Sequence, residues 1–209
     1  MGEEENFLKA IEKLRKVEKE RNFDQTVDLI INLKEFDVRR YSFSLFIQLP
    51  YKIKDKKIAG FLEQDSKLVT TIKKEEFVKF KEKKDVKKLI RGYDFFIANA
   101  KLMPAIATSF GRALGPAGKM PNPQLGVLQS EDEKIIKVLI EKINSTVRLK
   151  VKEPSIKIAI GKESLKNDEI VKNAITAYHK ILETLPKQKD NLRNVKIKFT
   201  MGKPATIEI

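Results

Sequence analysis

Apolar and polar residues alternate at both ends of this 209-residue chain but not in its middle, and that change of period restricts which segments can share a sheet. Val27, Leu29, Ile31 and Leu33 recur at every second position, as do Phe43, Leu45, Ile47 and Leu49. A period of two puts each set on one face of a strand, and the polar stretch 34–42 joins the pair. Far along the chain, Ile156, Ile158 and Ile160 form another such strand, and Val195, Ile197 and Phe199 a further one. Each end also carries a helix. Phe7, Leu8, Ile11, Leu14 and Val17 predict an amphipathic helix over residues 5–20 with a charged outer face. Ile170, Val171, Ala174, Ile175, Tyr178, Ile181, Leu182 and Leu185 predict a second, with Asn167 as N-cap and Pro186 as stop.

From about residue 57 the style differs. Strand-like runs over 57–61, 67–72 and 93–98 alternate with helical segments over 75–91 and 102–111, the order of a parallel α/β layer. Ser130 lies three residues before Glu133 and just ahead of Ile135, Ile136, Leu139, Ile140 and Ile143, a capping-box entry into a helix that is followed by 146–151. The expected fold is α+β with an inserted α/β domain: residues 1–54 with 152–209 form one discontinuous domain, and 55–151 form the insert. Two adjacent crossings near 54–56 and 150–154 would act as a hinge.

Charge narrows the partners. With Lys+Arg 43 against Asp+Glu 29 the formal net charge is +14, which suits a polyphosphate partner. A membrane is not expected: there is no long apolar run, signal peptide or lipidation signal. With no cysteine and a single histidine, His179, disulfides, thiolate chemistry and a histidine metal cluster are excluded, so neither catalytic metal nor cofactor is expected. His179 flanks the second helix's apolar stripe and reads as a surface or partly packed residue.

Three segments could carry recognition. Residues 111–123, GRALGPAGKMPNP, hold three glycines, three prolines and two cations, a composition that predicts a shaped loop displaying the charges of Arg112 and Lys119. A phosphate loop would need glycine where Ala113 stands and a hydroxyl where Met120 stands, which leaves a nucleic-acid contact or a rigid turn. In the last strand, alternation places Lys196, Lys198 and Thr200 opposite Val195, Ile197 and Phe199, and Gly202 would let a backbone approach closely; the alternative is a solvated strand face ending in a turn. Residues 22–26, NFDQT, set an aromatic among hydroxyl and amide groups of the kind that meet bases and sugar edges. On pattern alone Phe23 reads as core, since single aromatics at element junctions pack inward.

The blocks RNFDQT at 21–26, DFFIA at 94–98, LMP at 102–104, LGPAGKMPNP at 114–123 and TMG at 200–202 occur in order along nearly the whole chain. Together they resemble the large-subunit ribosomal protein L-one family in its archaeal form. The resemblance implies a terminal-segment α+β RNA-binding domain with an inserted Rossmann-like three-layer domain. It implies binding to large-subunit rRNA at the mobile stalk beside the exit site, transient contact with exit-site tRNA during release of deacylated tRNA, and repression of the protein's own mRNA. It also implies a cytoplasmic protein of the large subunit, monomeric when free. By position, the implied rRNA and mRNA contacts are Phe23, Thr26, Lys157, Lys198, Thr200, Met201 and Gly202, with a secondary RNA or tRNA surface at Arg112, Gly115, Gly118 and Lys119.

Two positions depart from the family pattern. Only residues 62–66 separate the first two strands of the insert, where many members have a helix, so this connection is either a truncated crossover or a tight turn with altered pairing. Lys203 follows Gly202 where many members have proline. A nucleotide-binding enzyme built on the insert is the competing reading, but the chain has no glycine-rich dinucleotide fingerprint and no catalytic constellation.

Overall fold

The computed structural model describes residues 2–17, 21–41, 43–80 and 83–208. The fold is mixed α/β, and its contacts divide the chain into two compact units, Met1–Lys54 with Asn144–Ile209 and Asp55–Ile143. The first unit begins with α1 (Glu3–Val17), β1 (Thr26–Leu33) and β2 (Ser44–Gln48). The second holds β3 (Ile58–Phe61), β4 (Thr70–Thr71), α2 (Lys83–Gly92), β5 (Phe95–Asn99), α3 (Met103–Ala117), β6 (Val127–Leu128) and most of α4 (Glu133–Ser145). The chain returns to the first unit through β7 (Thr146–Lys150), β8 (Ser155–Lys162), α5 (Asn167–Thr184), β9 (Leu192–Phe199) and β10 (Ala205–Ile207).

The alternating strands form one antiparallel sheet in the order β10–β9–β1–β8. Their apolar residues share a single core with Phe7, Ile11 and Leu14 of α1 and the stripe of α5, so both helices cover one face and leave the other open. Residues 18–20 of the helix expected over 5–20 lie outside the described residues. α1 starts earlier than expected, at Glu3, and its first turn holds Glu3, Glu4 and Glu5, acids that favour the positive end of the helix dipole. The cap of α5 is Lys166 and not Asn167: the Lys166 N–H donates to the Glu169 carboxylate at 3.2 Å. Buried Asn173 on α5 joins three segments, accepting from the Tyr51 N–H at 2.9 Å and donating to the Tyr51 and Ile160 carbonyls.

The second crossing falls at 143/144 and not at 151/152. The reason is pairing: β7 runs antiparallel to β2, with Ser44 opposite Lys150 and Gln48 opposite Thr146, and Leu149 and Val151 join the first unit's core. Periodicity reveals a strand but not its partner.

Tyr178 lies wholly inside that core, its ring 6.0 Å from Phe7, and its hydroxyl has no hydrogen-bond partner. Burial, with a smaller effect from the charge of Glu3, pushes the phenol up to about 12 from 10.0. The folded state therefore holds this proton more tightly than the unfolded state, and stability falls as pH rises from about 10 to about 12. Tyr178→Phe removes both the orphan hydroxyl and the titration. Urea unfolding is expected to show it more stable by about 1 kcal/mol at pH 7, with a margin over wild type that widens above pH 10.

In the second unit a parallel sheet runs β4–β3–β5–β6. Ala59, Phe61, Phe96 and Ala98 enter a core with Phe110 and Leu114 of α3 and Val86 and Leu89 of α2. Alternation turns Ile58, Gly60 and Ile97 to the opposite face, and they are buried too. The helix expected over 75–91 is divided into a 3-10 segment, Lys74–Phe80, and α2. At α4 the Ile136 N–H donates to the Asp132 carbonyl while the Ser130 hydroxyl donates to the Asp132 carboxylate, so Asp132 caps this helix in place of Ser130.

The short connection after β3 is a parallel crossover without a helix: Ala59 pairs with Thr70 and Gly60 with Thr71. What a helix would cover is covered by the connection itself. A Cβ on Gly60 would lie 3.1 Å from Leu62 and 3.2 Å from Val69, so glycine lets these two buried side chains close over the strand.

Candidate nucleic-acid interface

Three chain segments meet at one end of the antiparallel sheet. The Thr200 N–H donates to the Thr26 carbonyl at 3.0 Å, the Thr26 N–H donates to Thr200 Oγ1 at 3.0 Å, and Thr200 Oγ1 donates to the Thr26 carbonyl at 3.2 Å. Gln25 is wholly buried; its Oε1 accepts from the Met201 N–H at 3.1 Å and its carbonyl from the Glu163 N–H at 2.8 Å. The Asp24 carboxylate accepts from the Ser164 N–H and hydroxyl, and Lys162 Nζ donates to the Asp24 carbonyl. Residues 23–26, 162–164 and 199–202 are thereby tied together.

This tying changes how the NFDQT segment reads. Gln25, buried, and Asp24, exposed, look in sequence like groups for a sugar edge but make hydrogen bonds to the protein's own backbone and side chains. Phe23 goes the other way: it is 51% exposed, against the core position its pattern suggested, and Met201 is 62% exposed. The segments that carry them are hydrogen-bonded to each other, and both side chains stay at the surface.

The open face continues along the strands. Ile30 has Lys157 opposite it on β8 and Lys196 on β9, while Asp28 has Ala159 and Lys198. Lys157 is exposed, and its ion pair with exposed Glu153 is a loose 3.9 Å contact, a geometry worth little in water. The face is thus a platform with cations at its centre and apolar side chains at one end. Asp28 is the exception, an acid that sequence reading passed over because it alternates correctly with the core. Burial raises its pKa from 3.8 more than Lys198 lowers it, so its charge destabilises the fold above that range. Asp28→Asn is expected to stabilise the protein at pH 7, with the gain disappearing as pH falls below about 4; chemical denaturation of both forms across pH checks this.

The hydroxyl of Thr200 is part of the scaffold, so Thr200→Val is not a silent change of fold. It is expected to lower stability by about 1 kcal/mol and to loosen the turn carrying Met201 and Gly202. Thr200→Ser, which keeps the oxygen, should unfold in urea close to wild type.

The GRALGPAGKMPNP segment is only half loop. α3 continues to Ala117, with Pro116 in its last turn, where the missing N–H costs one bond to the Arg112 carbonyl. Gly118 ends the helix at φ 69° and donates to the Gly115 carbonyl at 2.9 Å, while the Lys119 N–H donates to Leu114, a left-handed cap that needs glycine. Lys119 does not display its charge: Nζ donates to the carbonyls of Ile90 and Tyr93, each at 2.7 Å, and so caps the end of α2. Among the four secondary-surface residues, Gly118 and Lys119 thus have work inside the unit. Arg112 and Gly115 are exposed, and a Cβ on Gly115 would meet nothing within 4 Å.

A model of the ribosomal protein L1p/L10e family matches residues 14–203. The chain belongs to that family. Relatives named large ribosomal subunit protein uL1 bear out the archaeal character. That of Nanoarchaeum equitans is 37% identical, covering 88% of this chain and 91% of its own. That of Methanothermococcus thermolithotrophicus is 34% identical over 98% of both, and that of Thermococcus kodakarensis 33% identical over 98% of this chain and 97% of its own. The family match runs through both units and includes every residue named in the platform. Among the described residues no group of histidine, cysteine, aspartate or glutamate could hold a metal, and no helix is long and apolar enough to cross a membrane.

Proposed function

We propose that the chain grips large-subunit ribosomal RNA with the end of its antiparallel sheet and the adjoining basic platform. Family membership makes it a structural, non-enzymatic constituent of the large ribosomal subunit in the cytoplasm. The observation that carries the RNA reading is the exposure of Phe23 and Met201 on either side of the Thr26–Thr200 pair, at the edge of a face bearing Lys157, Lys196 and Lys198. Apolar planes beside fixed polar groups fit unstacked bases and ribose edges, and lysines along the strands fit the phosphates that follow. The Thr26 side chain can meet a 2′-hydroxyl, and Gly202 admits a backbone close to the turn. Such contacts select RNA over DNA.

The RNA we assign is the stalk beside the exit site, where the bound protein assists release of deacylated tRNA; the same surface would hold a stalk-like structure in the protein's own mRNA and repress its translation. These finer roles rest on the family resemblance. A footprint on large-subunit rRNA and on the protein's own leader mRNA, titrated with salt, tests them together. A protected stem that survives moderate salt supports recognition, and protection of the leader at similar concentrations supports repression. Binding that collapses with salt and prefers no site would reduce the interaction to the +14 charge alone.

A further inference from the structure

The strand order of the second unit's parallel sheet reverses between β3 and β5. The chain leaves β3 toward β4 on one side and leaves β5 toward β6 on the other, and in open α/β sheets the crevice at the carboxyl ends of two such strands is where ligands bind. Here the crevice already holds an anion, and it comes from the chain. The Glu131 carboxylate accepts from the Glu63 N–H at 2.9 and 3.1 Å through its two oxygens, from the Gln64 N–H at 2.8 Å, and from the Asn99 side-chain amide. Glu63 and Gln64 follow β3, and Asn99 ends β5. Consecutive backbone N–H groups converging on one oxyanion form the kind of nest that receives phosphate.

The surroundings suit a charged guest. Asn99 is buried, 5% exposed, and is held in place by accepting from the Lys101 N–H at 3.0 Å. Glu63 and Gln64 are exposed, so the crevice opens to solvent. Burial works to raise the pKa of Glu131, but the bonds from Glu63, Asn99 and Gln64, with the charge of Lys101, hold it below the ordinary 4.5.

We propose that this crevice is a binding site for a small oxyanion of the phosphate class, occupied in the native protein by Glu131, which closes the insert to free phosphate and nucleotides while pinning the helix-less connection between β3 and β4. The site is independent of the RNA platform. Removing the carboxylate empties the nest without removing any of its donors.

The experiment compares full-length wild type, Glu131→Ala and Glu131→Gln, using inorganic phosphate and acetate as probes against chloride at matched ionic strength. In wild type the Glu63 and Gln64 amide resonances should not move with phosphate. In Glu131→Ala they should shift saturably, and phosphate or acetate should restore part of the lost thermal midpoint where chloride does not. Glu131→Gln, which keeps one acceptor, should melt about 2–4 °C below wild type at pH 7, the shift for roughly one hydrogen bond in a chain this size. Because the folded carboxylate titrates low, that gap is full above pH 4.5 and shrinks as pH falls through the depressed range. Absence of amide shifts and of selective rescue in Glu131→Ala would overturn the proposal, as would equal phosphate response in wild type. If Glu131→Ala fails to fold, a glutamine variant as stable as wild type at pH 7 would overturn it, because a site built for an anion distinguishes the two.

Discussion

Phe23→Ala and Met201→Ala are each expected to weaken binding to large-subunit rRNA about tenfold, and the pair about a hundredfold, with little change in the thermal midpoint. Stacking of a base on an aromatic side chain such as Phe23 is worth about 1–3 kcal/mol, covering an exposed methionine such as Met201 removes apolar surface worth about 1.5–3 kcal/mol when burial is complete, and tenfold in affinity is about 1.4 kcal/mol. The fold loses little because Phe23 and Met201 are 51% and 62% exposed and belong to neither core cluster. Filter binding at two salt concentrations separates this loss from a charge effect, since an apolar contact leaves the salt slope unchanged. Wild-type affinity in both variants would remove this end of the sheet from the interface. A double variant no weaker than either single would show that both side chains serve one nucleotide.

Lys119→Met is expected to lower the stability of the second unit by about 2–3 kcal/mol, since it deletes two charge-assisted bonds to the carbonyls that end α2. Its effect on affinity for large-subunit rRNA should be small, whereas Arg112→Met should leave stability unchanged. Urea unfolding together with RNA titration separates the two lysine roles. Weakened RNA binding at unchanged stability for Lys119→Met would return this residue to the RNA surface.

Sequence pattern is legible where its signal is local. The period of two in β1, β8 and β9 identified the buried face of each strand, because alternation is a local property of the backbone. Nothing local announces that β2 will pair with β7, and so the return to the first unit was placed near 150–154 and not at 143/144. The glycines and prolines of residues 111–123 suggest a loop by composition, yet glycine without a positive φ is helical here, and proline in a last turn forfeits one bond. Lys119 read as displayed charge because its two acceptors lie 29 and 26 residues earlier and exist only once α2 has formed. At the candidate interface the lysines on the open face follow from alternation. The inward turn of Gln25 and the exposure of Phe23 depend on hydrogen bonds to Met201 and Glu163, which only the folded chain brings near.

β1 lies between β8 and β9, so its neighbours are made long after it. The second unit is continuous in sequence and can fold as soon as it leaves the ribosome. β1 must wait until residues 155–162 and then 192–199 emerge, and Thr26 and Gln25 bond Thr200 and Met201 only after those residues too have been made. A chain still short of residue 202 therefore lacks the finished candidate surface. On the reading proposed above, competence to bind RNA waits for β9 and the turn after it, and a chain that stops short of them has the second unit but no finished sheet end with which to hold RNA.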